Sequence, residues 1–306
     1  MSENTSTSIL LPANSKSVLP IPLLLAIGVI AISFSAIFVK WSQAPAAVIA
    51  MNRLLLTCLF LAPWLWKRRS EWKSLPLRAC LQLVVSGAFL GLHFLLWMES
   101  LRYTSVASST ALLTLEPIFV MLGSFFVFRQ RTAGGAVLGM IIATVGAALI
   151  GWGDFRYSGE ALKGDILSLL GAAAVAVHML LGKSLRRHVS AYTYSYAVFA
   201  AAAGVLLVYN VLIGYPLFDY EPKEWGIFLL MAAVPTLLGH YIFNLLLQYM
   251  RATSVSMTVL GEPLGAALLA ALLLGEKITG LQALAGVILL AGVWLFIRST
   301  ERGKPS

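Results

Sequence analysis

The chain has 306 residues, of which 59% are hydrophobic and only 11% are charged. Soluble folds carry about 25% charged residues, and so few charges cannot clothe a water-facing surface of this size, so the apolar surplus must face lipid. The formal charge of +9 would otherwise raise nucleic acid as a partner, but the basic residues stand in short breaks between apolar runs rather than along one stripe, which argues for membrane topology and against nucleic acid.

Residues 1–20 are polar and rich in Ser and Thr, with no small-residue cleavage site after a short apolar core, and they read as a disordered cytoplasmic leader. A membrane span needs about 20 mostly apolar residues at about 1.5 Å rise each. That measure predicts spans near 21–39, 45–66, 79–101, 104–128 and 134–152. After a linker loop at 153–163 it predicts five more, near 165–185, 190–213, 225–248, 253–274 and 279–297, with a tail at 299–306. The expected fold class is therefore an all-α integral membrane protein with ten transmembrane helices. With an even number of spans both termini share a face. That face, with Lys183 and Arg298 assigned to it, holds fifteen Lys and Arg; Lys40, Arg102, Arg156, Lys163, Lys223 and Lys277 are the six on the other. The excess places both termini in the cytoplasm, and the membrane expected is the bacterial cytoplasmic membrane. Trp41, Trp64, Trp66, Trp152, Trp225 and Trp294 fall near span ends, as an interfacial belt requires. Cys58 and Cys80 fall on different predicted spans, and neither a disulfide nor a metal-ligand spacing is expected.

The sequence repeats itself. Ser108–Gly134 lies on Ser254–Gly280 without a gap at an offset of 146, which sets Leu115-Glu116-Pro117 on Gly261-Glu262-Pro263 and Arg129-Gln130-Arg131 on Gly275-Glu276-Lys277. The repeats would span 21–152 and 164–298, five helices each. Because five is odd, the second half must enter the membrane from the opposite face. Two inverted five-helix repeats around a central cavity are the architecture of secondary transporters, with substrate held near the midplane at the repeat interface.

Glu116 lies about 12 residues, or about 18 Å, into its span, and Glu262 about 10 residues, or about 15 Å. A carboxylate at that depth costs on the order of 3 kcal/mol, so protonation, a cationic partner or a wet cavity must offset it. Pro117 and Pro263 each remove a backbone donor, kink the helix and free a carbonyl one turn earlier. Together they form a polar patch suited to a substrate ammonium or hydroxyl; the alternative is that each glutamate is protonated glue between helices. Arg53, about 12 Å into the second span, has no Lys or Arg counterpart in the seventh. It is expected to bind an anionic group or to balance Glu116, against the alternative of snorkelling to a helix end. Lys40 reads as an interfacial anchor. His93 and Trp97 in the third span, and His240, Tyr241 and Asn244 in the eighth, form corresponding polar and aromatic stripes that must face protein or a cavity. His178 stands alone. Gly87 with Gly91, and Gly135 with Gly139, read as helix contacts only. Gly182-Lys183-Ser184 imitates a phosphate loop, but Val177 stands where the first glycine belongs. No cofactor, metal or enzymatic constellation is expected.

Phe38-Val39-Lys40, Pro45, Arg53-Leu54-Leu55, Leu115-Glu116-Pro117, Gly164-Asp165-Ile166-Leu167, Gly261-Glu262-Pro263 and Leu274-Gly275-Glu276-Lys277-Ile278 together resemble the drug/metabolite transporter superfamily, and within it the EamA branch, from about 21 to 298. In the first half Arg129-Gln130-Arg131 replaces the Gly-Glu-Arg type turn of that branch. The resemblance implies alternating access without ATP and, for most members, export of amino acids, other metabolites or toxic compounds. The function expected is a secondary active exporter of a small polar organic metabolite such as an amino acid. Multidrug efflux is the alternative, with a membrane-embedded enzyme, a lipid flippase and a non-transporting sensor further off. Protons are a candidate coupling ion through Glu116 or Glu262, and both monomer and homodimer are compatible with the sequence.

Overall fold

The computed structural model describes residues 20–104, 106–151, 159–275 and 278–302. The expected leader, most of the linker, Trp152, Arg156, Glu276, Lys277 and the end of the tail lie outside the described residues. The chain is helical throughout its spans. In order these are α1 (Ile21–Trp41), α2 (Ala46–Leu61), a short α3 (Arg69–Ser74), α4 (Leu77–Ser100), α5 (Val106–Leu113), α6 (Glu116–Phe128) and α7 (Gly134–Gly151). There follow α8 (Gly159–Leu185), α9 (Ala191–Ile213), α10 (Pro222–Met231), a π-helical segment (Ala232–Tyr241) running into α11 (Ile242–Leu246), then α12 (Ala252–Val259), α13 (Glu262–Leu274) and α14 (Gly280–Arg302). Among the described residues nine helical stretches are long and apolar enough to cross a bilayer, and Gly134–Leu149 is a shorter apolar helix. This is a multi-pass membrane protein.

Prolines set several starts. Pro45 and Pro76 are the N-caps of α2 and α4, and Pro222 opens α10, where a missing N–H costs nothing because no carbonyl precedes it in the helix. One start differs from expectation. Helix α8 begins at Gly159, inside the segment read as linker loop, because Glu160-Ala161-Leu162-Lys163 are good helix formers and extend the span by a turn beyond its apolar run.

Helix α1 packs on the π-helical segment and α13; α8 packs on α4 and α6; α2 lies against α9, and α7 against α14. Leucine and valine side chains such as Leu170, Val208, Leu212, Leu272 and Val287 point outward, as a lipid-facing surface requires. Small residues bring backbones close. A Cβ built on Gly292 of α14 would sit 2.3 Å from the Ala143 nitrogen of α7, and one on Gly139 would sit 2.5 Å from the Phe296 nitrogen. Gly87 and Gly91 do the same for α4 against α9, facing Val198, Ala201 and Ala202. In lipid, where apolar association gains nothing from leaving water, such close packing is what holds helices together.

Candidate functional site

Both glutamates open the second half of a broken helix. Helix α5 ends at Leu113 and α6 restarts at Glu116; α12 ends at Val259 and α13 restarts at Glu262. The bounds of α5 and α6 fall on those of α12 and α13 at the offset of 146 read from the sequence. The cause is local. Pro117 has no N–H for the Leu113 carbonyl and Pro263 has none for Val259, so neither ladder continues. Each break is two residues long and keeps right-handed backbone at Leu115, Leu260 and Gly261, and the first is tightened by a bond from the Leu115 nitrogen to the Leu112 oxygen at 3.2 Å. Each carboxyl then sits in the first turn of a new helix, where the backbone dipole favours negative charge.

The two breaks meet at a cavity of about 50 Å³, room for a few waters. Glu116 and Glu262 line it with His93, Trp97, His240 and Asn244, so six of the eight candidate binding residues share one wall. His93 stacks on Trp97 at 6.4 Å and 6°, and its Nδ1 lies 3.0 Å from the Gly171 carbonyl. Asn244 Nδ2 donates to the Ser195 hydroxyl at 3.3 Å. Glu116 Oε1 and Trp97 Nε1 are buried and have no protein partner. Both residues belong to the cavity wall, and a buried acceptor and a buried donor without partners are groups that a polar guest would complete.

Arg53 and Tyr241 are elsewhere. Arg53 is 0% exposed and does not snorkel. Pro235 leaves the Met231 carbonyl without its usual donor inside the π-helical turn. The Thr236 hydroxyl donates to that carbonyl at 2.7 Å and accepts from Arg53 Nε at 2.9 Å. The guanidinium lies 4.2 Å over the Phe94 ring, and its two terminal nitrogens have no hydrogen-bond partner. Phe94 lines the cavity and meets His240 edge-on at 4.9 Å, so one aromatic ring separates Arg53 from the chamber. The carboxyl within electrostatic range of Arg53 is that of Glu262, which also lies within range of Glu116. Tyr241 packs with the apolar core around α2, α4 and α9.

His178, which stands alone in the sequence, lines the cavity. Two residues of the site carry no mark in the sequence reading: Ser35 lines the same cavity, and Thr236 carries Arg53. Only Pro235, a proline within an apolar run, is a signal for the second. His178 Nδ1 lies 3.0 Å from the Ser86 hydroxyl, which in turn lies 3.0 Å from the Tyr194 hydroxyl. Arg186, just past the expected span 165–185, is buried and donates to the Asn244 carbonyl at 3.0 Å.

Comparison with known proteins agrees with this architecture. The model of the EamA-like transporter family matches residues 19–152 and again 162–298. A protein of Archaeoglobus fulgidus named an uncharacterized transporter is 26% identical over 287 residues, 89% of this chain and 96% of that protein. A Salmonella typhimurium protein named a probable amino-acid metabolite efflux pump is 26% identical over 196 residues, 61% of this chain and 66% of its own length. A protein of known crystal structure superposes with a TM-score of 0.76 over 93% of this chain and 99% of its own, at 14% identity, which speaks to the fold alone. With a match over each half in turn, the chain belongs to the EamA-like transporter family of the drug/metabolite transporter superfamily.

Proposed function

We propose that this transporter is a secondary carrier that moves a small zwitterionic metabolite, an amino acid or a close relative, by alternating access around the chamber between the broken helices. The observation that carries the reading is the meeting of Glu116 and Glu262, from two interruptions in the same register, on one cavity with unpartnered polar atoms at Glu116 and Trp97. Carboxyl groups suit a substrate ammonium, and Arg53 behind Phe94 suits its carboxylate once that ring moves aside. The proposed halves are inverted repeats of five helices, 21–152 and 164–298, with both termini cytoplasmic. The helix contacts support that arrangement, because they come in matched pairs: α1 with the eighth span as α8 with α4, and α1 with α13 as α8 with α6. Export is the direction favoured by the name of the Salmonella relative.

A thermal-stabilisation screen of the purified protein over amino acids, sugars, nucleosides and cationic drugs tests the substrate class. An amino acid that raises Tm, and does so less in Glu116→Gln and Arg53→Met, is the expected outcome. Stabilisation by cationic drugs alone, unaffected by Arg53→Met, would replace the zwitterion reading with multidrug efflux.

A further inference from the structure

Away from the chamber, two clasps tie opposite halves together, one at each face. At the first, the Glu224 carboxyl in the first turn of α10 accepts from the Ser42 hydroxyl and, at 2.9 Å, from the Gln43 backbone N–H. Beside it Lys40 Nζ donates to the Leu101 carbonyl at the end of α4, at 3.2 Å. At the second, the Glu71 carboxylate in α3 accepts from the Ser190 N–H at 2.6 Å, the Ser190 hydroxyl at 2.7 Å and the Thr193 hydroxyl at 2.8 Å. Beside that one Lys183 Nζ donates to the Leu247 carbonyl at 2.8 Å and the Met250 carbonyl at 2.7 Å.

The parts correspond. Lys40 and Lys183 stand near the ends of α1 and α8, the first helices of the two halves. Ser42-Gln43 stand in the short connection before α2 and Ser190 is the N-cap of α9, the second helices, while Glu71 and Glu224 precede or open the third. Neither pair contributes to the wall of the central cavity. A carboxylate that accepts several charge-assisted bonds from one short segment makes a directional joint, which separates as a unit rather than stretching.

We propose that these clasps are the latches of two gates: release of Glu224 opens the chamber toward the Ser42 face, and release of Glu71 opens it toward the Ser190 face. Both latches are made in this structure, and the chamber between them has a volume of about 50 Å³. A second cavity of about 380 Å³, lined by Lys40, Ser42, Gln43, Arg102 and Tyr215, lies against the Glu224 latch and marks the mouth it closes. The alternative is that each glutamate merely caps a helix, in which case its loss lowers stability without favouring either face. The gating meaning rests on the carrier reading, but its test needs no substrate.

In the full-length protein with Cys58→Ser and Cys80→Ser, Ser35→Cys on the cavity wall reports access. Its labelling by a membrane-impermeant maleimide is followed in right-side-out and in inverted vesicles. Glu224→Ala is expected to speed labelling about tenfold from the Ser42 face only, and Glu71→Ala about tenfold from the Ser190 face only. Unchanged rates, or acceleration from the same face in both variants, overturn the proposal. Should the alanine variants fail to fold, Ser42→Ala and Ser190→Ala, which leave the backbone donors, must give the same opposed pattern at smaller size; equal labelling from both faces overturns it. Opposed labelling in a protein that shows no solute flux would keep the latches and remove the carrier.

Discussion

Arg53 condenses the difference between what the chain spells out and what only folding reveals. Its depth in an apolar span marked it as costly, and the structure buries it fully, with one hydrogen bond from Nε and a ring beneath the guanidinium. The supports, Thr236 and Phe94, come from other spans; Pro235 beside Thr236 is a local signal for the first, and no local pattern in the sequence announces the second. A buried ion with unfilled donors contributes little to stability, and an apolar replacement of similar volume is often neutral or better. Arg53→Met is therefore expected to change Tm by no more than a few degrees while lowering flux at least about tenfold, a loss of about 1.4 kcal/mol of transition-state binding. Purified-protein melts and vesicle flux on the same preparations check both halves of that statement. Arg129 is a second instance. It caps α6 at φ 55°, where the other half has Gly275 at φ 71°. The left-handed conformation costs a non-glycine residue about 1–2 kcal/mol, partly offset by the greater unfolded-state freedom of glycine. Arg129→Gly should raise Tm slightly and leave flux unchanged; a fall in Tm would mean that the arginine side chain supplies more than its backbone takes.

Individual elements were the most legible level. Span positions follow from apolar run length, and the structure keeps them within a few residues except at the start of α8 and the end of α14, where the helix outruns the apolar run. The Glu-Pro pairs located both interruptions, because proline removes a specific donor wherever it stands. The π-helical segment escaped notice, since Ala232–Tyr241 has ordinary helical composition apart from Pro235. Packing depends on a few glycines whose importance a sequence cannot rank. Gly292 leaves no room for a Cβ, with Ala143 backbone 2.3 Å away, while a Cβ on Gly204 in α9 would meet nothing within 4 Å. Gly292→Val should separate α7 from α14 and destabilise by about 1–3 kcal/mol or more. Gly204→Ala should stabilise by up to about 1 kcal/mol through helix propensity alone. Parallel melts of the two variants decide it, and equal effects would show that the α7–α14 seam is not close-packed.

For the whole molecule, the sequence repeat foretold the matched breaks, yet the clasps joining the halves were invisible, because Glu71 and Ser190 are 119 positions apart and Glu224 and Ser42 are 182 apart. Their pH behaviour follows from the bonds. Burial works against the charged form of Glu71, but hydrogen bonds from Ser190 and Thr193, with the nearby Arg68 charge, outweigh it and hold the carboxyl below its usual value. A depressed pKa means that its contribution is complete above the unfolded value, about 4.3, and disappears as pH falls through the folded one. The Tm difference between the native chain and Glu71→Gln should accordingly stay constant from pH 7 to 5 and shrink below about 4.3; a gap that widens in acid would contradict the hydrogen-bonded carboxylate.

The chamber at the heart of the proposal is tested most directly by counterflow. Vesicles loaded with the stabilising amino acid and diluted into a trace of its labelled form should accumulate label transiently when they carry the native protein. With Glu116→Gln and Glu262→Gln combined, in protein that still melts cooperatively, accumulation should fall to that of empty vesicles. Undiminished counterflow by the double variant would place the transport route somewhere other than between the broken helices.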